Sequence, residues 1–297
     1  MPVLFPTLRI CAAALSDIGD AALAGVLFNR IWLGGMGNCN RQLRTVLRVC
    51  SALLLLDIPL QFVLLSASMT GDSSWTDAWQ ALPDVATTHS GRALILFFGF
   101  VPFLLVFSFL SSGLEKTKGI VTGMALVAGL FACRAFSGHA ASDGDFTLRE
   151  GMQFLHLASI AAWGGGILIA GLIVVPHLAS NIGSVDIIQF GRRLSQTVTI
   201  ALVAAVLSGI YNAWKGLGGS LSPLPHSEWG RMLLVKLLFV LLAFGHGLRV
   251  RLLLGTRTPW TSNHSRTMRQ WMRAEALCMV LVFIFSAWLA NLPPADM

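Results

Sequence analysis

Eight apolar runs, each long enough to cross a bilayer as a helix, recur from one end of the chain to the other. A spanning helix needs about 20 mostly apolar residues, because a rise of about 1.5 Å per residue must cover about 30 Å of hydrocarbon. Residues 10–33, 47–68, 92–112, 119–138, 149–175, 194–215, 231–254 and 273–292 meet that requirement. With 55% hydrophobic and 12% charged residues among 297, the apolar side chains are too many for a single water-surrounded core and must face lipid. The sequence therefore predicts an all-α polytopic membrane protein, one bundle of eight transmembrane helices over 1–297, and excludes a water-soluble enzyme.

The basic residues cluster between the runs. Arg41, Arg44 and Arg48 follow the first, Lys116 and Lys118 the third, and Arg192 and Arg193 the fifth. Arg249, Arg251, Arg257, Arg266, Arg269 and Arg273 surround the seventh connection. Such clusters orient spans, positive side inward, so the net charge of +7 reads as topology rather than as a nucleic-acid surface. The other connections carry Asp72, Asp77, Asp84, Asp143, Asp145 and Glu228, which puts both termini on the outer, periplasmic side. Only Arg9 precedes the first run and no convincing small-residue cleavage site follows, so that helix is expected to be retained.

A short internal repeat fits the count. His89-Ser90-Gly91-Arg92 opens the third run, and His226 with Gly230-Arg231 opens the seventh. Glycine there permits a tight helix start, and arginine can snorkel to the headgroups. A 4+4 duplication with halves 1–140 and 149–297 follows, and repeat interfaces commonly hold the site of a transporter.

Topology sorts the seven histidines. His89, His139 and His226 fall at the outer face, and His156 lies about two turns into the fifth helix from that side. His177 and His264 fall on the inner side, and His246 toward the inner end of the seventh helix. Met152 and His156 stand at i and i+4 on one helix face, and a short connection lets His139 approach both. Imidazole with thioether is a copper-like donor set. Farther along come Trp163 and the triplet Gly164-Gly165-Gly166, small residues that admit a close neighbouring helix.

Charges within the spans form the second informative set, because a buried Asp costs about 2.5–3.5 kcal/mol on insertion scales. Asp17, Asp20, Asp57 and Arg134 should face the bundle interior, as an ion or proton path or as an Asp–Arg pair. Gln61, Asn212 and Asn291 read as interhelical hydrogen-bonding groups. Most of the ten methionines read as flexible core filler, and four of the five cysteines as small apolar fillers. Cys39, on a connection, is the one expected to be accessible. No phosphate-binding loop and no Ser-His-Asp arrangement is present in the sequence, which argues against an ATP-driven pump.

Six segments in order then resemble one family. They are Ser137-Gly138-His139-Ala140-Ala141, Leu155 to Gly166 with its His156 and Trp163, and Phe190-Gly191-Arg192-Arg193-Leu194. Ser208-Gly209-Ile210-Tyr211-Asn212-Ala213-Trp214, Gly230-Arg231-Met232-Leu233-Leu234-Val235-Lys236 and Leu292-Pro293-Pro294 complete the set. Together they resemble the CopD family of bacterial copper-resistance inner-membrane proteins, over most of 85–297. The first helix departs from the family pattern: Asp17, Asp20 and Arg30 occupy a span where relatives often carry a His and a Trp-Gly-Gly element.

The resemblance implies a non-enzymatic inner-membrane protein that works with periplasmic CopC-type copper chaperones and moves copper inward. His139 and His156 are its favoured ligands and His89 and His226 weaker ones; the residues within the spans, apart from the resemblance, offer Asp17, Asp20, Asp57 and Trp163 as an ion path. The alternative is a haem b electron-transfer protein with His156 as one axial ligand. Only His156 and His246 lie well inside spans, near opposite ends, which counts against it. A membrane subunit without metal, its outer histidines expendable, is the third reading.

Overall fold

The computed structural model describes residues 4–36, 39–72, 74–110, 114–137, 146–181, 184–256 and 259–293. Among them eight helices are long and apolar enough to span a membrane, and no strand occurs. They are α1 (Leu4–Leu33), α2 (Asn40–Met69), α3 (His89–Phe109), α4 (Thr117–Ser137), α5 (Leu148–Ala179), α6 (Asp186–Gly216), α7 (Glu228–Leu254) and α8 (Ser262–Ala290). Several exceed the apolar runs. Helix α8 starts eleven residues before the run at 273, because Arg266 and Arg269 continue the helix outside the apolar stretch where their charges stay wet. The acidic connection between α2 and α3 is itself ordered into two short helices, Trp75–Gln80 and Leu82–Thr87.

Helices α1 and α5 form the centre. Their apolar windows are 67% and 78% buried, against 28% for α6 and 17% for α7, whose leucines and isoleucines such as Ile200 and Leu241 point outward. Both central helices touch each other and also α4 and α8; α2 completes the shell of α1, and α6 that of α5. The centre works because the sequence puts small residues there. A Cβ on Gly165 would fall inside the Ala21 carbonyl, and one on Gly25 inside the Gly165 carbonyl, so the two backbones meet directly. Asn29 then locks the pair: its Nδ2 donates to Gly25 O of its own helix at 2.8 Å and to Gly166 O of α5 at 2.9 Å. Helix α5 widens at this contact into π-helical turns, Ala161–Gly165 and again Ala170–Val174, a geometry that re-aims side chains and recurs at functional sites.

Helices α3 and α7 begin with the same local device. Thr88 Oγ1 accepts from Gly91 N at 3.1 Å, and Ser227 Oγ from Gly230 N at 2.9 Å. In both cases a Cβ on the glycine would strike the carbonyl of the preceding short helix, Val85 or Leu224. Aligned on the cap, however, His89 follows it and His226 precedes it, so the two histidines do not occupy equivalent positions. Of the three amides, Gln61 donates to Ser16 Oγ of α1 and Asn212 to Gln153 of α5, both between helices, whereas Asn291 donates to Ala287 O of its own helix.

Cys39 corrects the reading from sequence. It sits just before α2 but is fully buried, packed in the main core, while Cys11 on α1 is exposed. Burial pushes the Cys39 thiol up to about 11. At pH 8 only about 0.1% is then thiolate, the reactive form. Maleimide labelling of the folded protein at pH 8 is therefore expected to leave Cys39 unmodified until denaturant is added; rapid labelling without denaturant would contradict the burial.

The central contact makes a second prediction. Gly165→Ala forces α1 and α5 apart and is expected to destabilise the detergent-solubilised protein by about 1–3 kcal/mol. Gly99→Ala and Gly245→Ala, whose added methyl meets nothing, are expected to be neutral or stabilising, by up to about 1 kcal/mol. Thermal unfolding of the three variants compares them directly.

Candidate metal and charge sites within the bundle

The start of α5 is fixed by a capping box. Thr147 Oγ1 accepts from Glu150 N and Glu150 Oε2 accepts from Thr147 N, both at 3.3 Å. Helical rise then carries His156 about 12 Å into the bundle from Leu148. Its side chain turns to α6, where Nδ1 lies 3.1 Å from Ala205 O and 3.2 Å from Ser208 Oγ. A ring nitrogen facing a carbonyl must carry the proton, so Nδ1–H donates to Ala205 O and the lone pair falls on Nε2. That is how metal-binding histidines are held, one nitrogen anchored and the other basic. The imidazole packs over Gly209, with Cε1 3.0 Å from where a Cβ would stand. One turn toward the helix start, Asn212 Nδ2 donates to Gln153 Oε1 at 2.8 Å, tying α6 to α5 again. Met152, half-buried, shares the His156 face.

The other predicted ligands are dispersed. His89 opens α3 and His226 ends the short helix Pro223–His226, both exposed. His139 lies outside the described residues. Among those described, no three His, Cys, Asp or Glu side chains converge as a metal site. Two further histidines have structural surroundings: His264 Nδ1 accepts from Thr261 N at the start of α8, and the His246 ring lies tilted against Trp271, with centroids 5.3 Å apart. The imidazoles of His156 and His246 thus face different partners, on α6 and α8.

The charged residues of the spans do face inward. Arg134 on α4 pairs with Asp17 of α1, and its Nε lies 3.7 Å from Asp20 Oδ2. Its guanidinium also sits 5.8 Å above the Phe97 ring. Asp57 on α2 stands outside this pair: it accepts from Ser16 Oγ at 2.7 Å and from Gln61 Nε2 at 2.6 Å. One guanidinium therefore serves two carboxylates while a third is held by neutral donors, and Oδ1 of the buried Asp20 has no hydrogen-bond partner among the described residues. Trp163, fully buried in α5, donates from Nε1 to Glu275 Oε1 of α8 at 3.4 Å.

Sequence reasoning passed over Glu275 and Ser16. Glu275 is 2% exposed in mid-α8, and a lone carboxylate inside a span is the signal that could have found it.

Enclosed polar groups inside a lipid-facing bundle of eight apolar helices define a polytopic helical membrane protein. Residues 4–149 match the family described as Copper resistance protein D-like, N-terminal domain, and residues 188–289 match Copper resistance protein D. The chain belongs to the CopD family. Among its relatives, Copper resistance protein D of Pseudomonas syringae pv. tomato is 27% identical over 252 residues, 78% of each chain. Copper transport protein CutJ of Bacillus subtilis (strain 168) is 31% identical over 167 residues, 56% of this chain and 29% of that one. No solved structure matches. Residues 150–187, which hold Met152, His156 and Trp163, fall between the two matched stretches.

The Arg134 cluster can be tested by charge removal. Arg134→Leu leaves two facing carboxylates uncompensated and is expected to cost about 3–5 kcal/mol. Adding Asp17→Asn and Asp20→Asn should restore most of it. Unfolding curves in detergent measure both; equal stability of Arg134→Leu and wild type would show that the pair carries no structural weight.

Proposed function

We infer that this protein moves copper across the inner membrane, from the periplasm to the cytoplasm. The observation that carries the reading is His156: a histidine inside a span, anchored through Nδ1 to the α6 backbone, which leaves its lone pair on Nε2. Met152 on the same face supplies a soft donor, so the pair suits copper in either oxidation state. His139 completes this set from the connection before α5, and His89 and His226 guide the ion to it from the same membrane face. Family membership supports copper as the cargo, and the names of the relatives describe resistance or transport rather than catalysis.

Orientation in this reading follows from the arginine-rich connections, which lie on the cytoplasmic side by the positive-inside rule. A periplasmic chaperone of the CopC type then delivers the ion to the histidine face. In a 4+4 division into 1–140 and 149–297, α1 and α5 would bring the two halves together, while His156 faces α6 within the second half. Asp17, Asp20 and Asp57, with Trp163, line a path inward from that site. The Arg134 pairing favours a mainly structural role for Asp17, which leaves Asp57 as the carboxylate best able to exchange a cation or proton.

In a detergent-purified sample, His139→Ala with His156→Ala is expected to abolish near-stoichiometric copper binding while the protein stays folded. Retained binding in this double variant would remove the site; a Soret band in the wild type would replace copper transport with haem-based electron transfer.

A further inference from the structure

Helix α8 carries a stripe that no role has yet been given. Met268, Met272, Glu275 and Met279 follow one another at helical spacing, and each is at most 2% exposed. The stripe runs for about three turns, roughly 16 Å, starting from the arginine-rich end. Thioethers alone would be ordinary filler, but a carboxylate in their midst is not, because an uncompensated charge among apolar side chains is costly. Trp163 Nε1, at 3.4 Å, is the one hydrogen bond to its side chain among the described residues.

The surroundings are shaped around these groups. Glu275 Oε1 lies 2.9 Å from where a Cβ on Gly247 of α7 would stand, and Met268 Cε 3.1 Å from that of Gly191 of α6. Met279 Cε lies against Gly164 of α5. Three different helices thus offer a glycine to the stripe, and a side chain at any of these positions would crowd it. A cleft between the loosely packed α6 and α7 opens on the same place, with Met272, Glu275, Trp163, Gly247 and Arg251 in its lining.

We propose that Met268, Met272, Glu275 and Met279 form a transit path for Cu(I) through the arginine-rich half of the bundle, an inference that rests on copper being the cargo. Thioethers select the soft monovalent ion, and successive donors one helical turn apart let it pass from ligand to ligand without any change of oxidation state. Glu275 supplies the single negative charge that a Cu⁺ ion needs in a low-dielectric interior. Arg251 lines the same cleft. Neutral, weakly binding sulfur donors on either side keep the ion from being trapped.

The test uses the full chain in proteoliposomes under anaerobic reducing conditions, with a Cu(I)-responsive dye inside. Met268→Leu/Met272→Leu/Met279→Leu keeps side-chain volume but removes sulfur, and Glu275→Gln removes the charge while keeping an acceptor for Trp163. Each is expected to lower Cu(I) flux by at least about tenfold. X-ray absorption of the Cu(I)-loaded triple variant should show fewer sulfur neighbours than the wild type. Wild-type flux in both variants, or unchanged sulfur scattering, overturns the path. Should the triple variant fail to fold, Met272→Leu against Met272→Cys decides: flux kept only by the cysteine variant supports the path, and equal flux overturns it. A wild type that neither binds nor passes copper overturns the transport reading itself, whereas wild-type flux indifferent to these substitutions removes only the path.

Discussion

The direct meeting of two backbones at Gly25 and Gly165 is what the rest of the bundle is arranged around. Lipid offers no hydrophobic drive for helices to associate, since hydrocarbon tails are as apolar as leucine, so close packing and interhelical hydrogen bonds must do it. Small residues permit the approach, and Asn29, bridging the Gly25 and Gly166 carbonyls, adds the bond that lipid cannot replace. Once α1 and α5 are joined, α4 and α8 fall against both, and every polar residue of interest lies on a helix touching this pair or one step from it.

Polar groups divide between two sides of that centre. On the α1 side Arg134 partly neutralises Asp17 and Asp20, and Asp57 is held by neutral donors. On the α5 side the polar groups are sparse and set at different depths. His156 lies toward the histidine-bearing end, Trp163 and Glu275 deeper, and the thioethers of α8 continue toward the arginine-rich end. A compensated cluster favours stability, whereas separated single donors favour passage, because an ion held by few ligands at each stage can leave again. The α5 side is thus the better suited to a moving cargo.

Much of this was legible in the sequence because the bilayer is so strict a solvent. Unpaired backbone groups cannot sit in hydrocarbon, so a chain with these apolar runs had to be helical, and the count of eight followed from length alone. The inward direction of Asp17, Asp57 and Arg134 followed from the expense of a charge facing lipid. His156 was legible for the same reason, as an imidazole inside a span.

Tertiary structure alone decided which of these groups meet. Nothing in the spacing told that Trp163 would reach Glu275 across 112 positions, that Arg134 would choose Asp17 over Asp57, or that Cys39, on a connection, would be buried. Nor could it separate the methionines of α8 from ordinary filler, since thioether stripes at helical spacing serve both ends. Periodicity fixes which face of a helix a residue occupies, but pairing depends on how eight helices are rotated and ordered around α1 and α5. That arrangement is set by contacts between residues far apart in the chain, which no local pattern encodes.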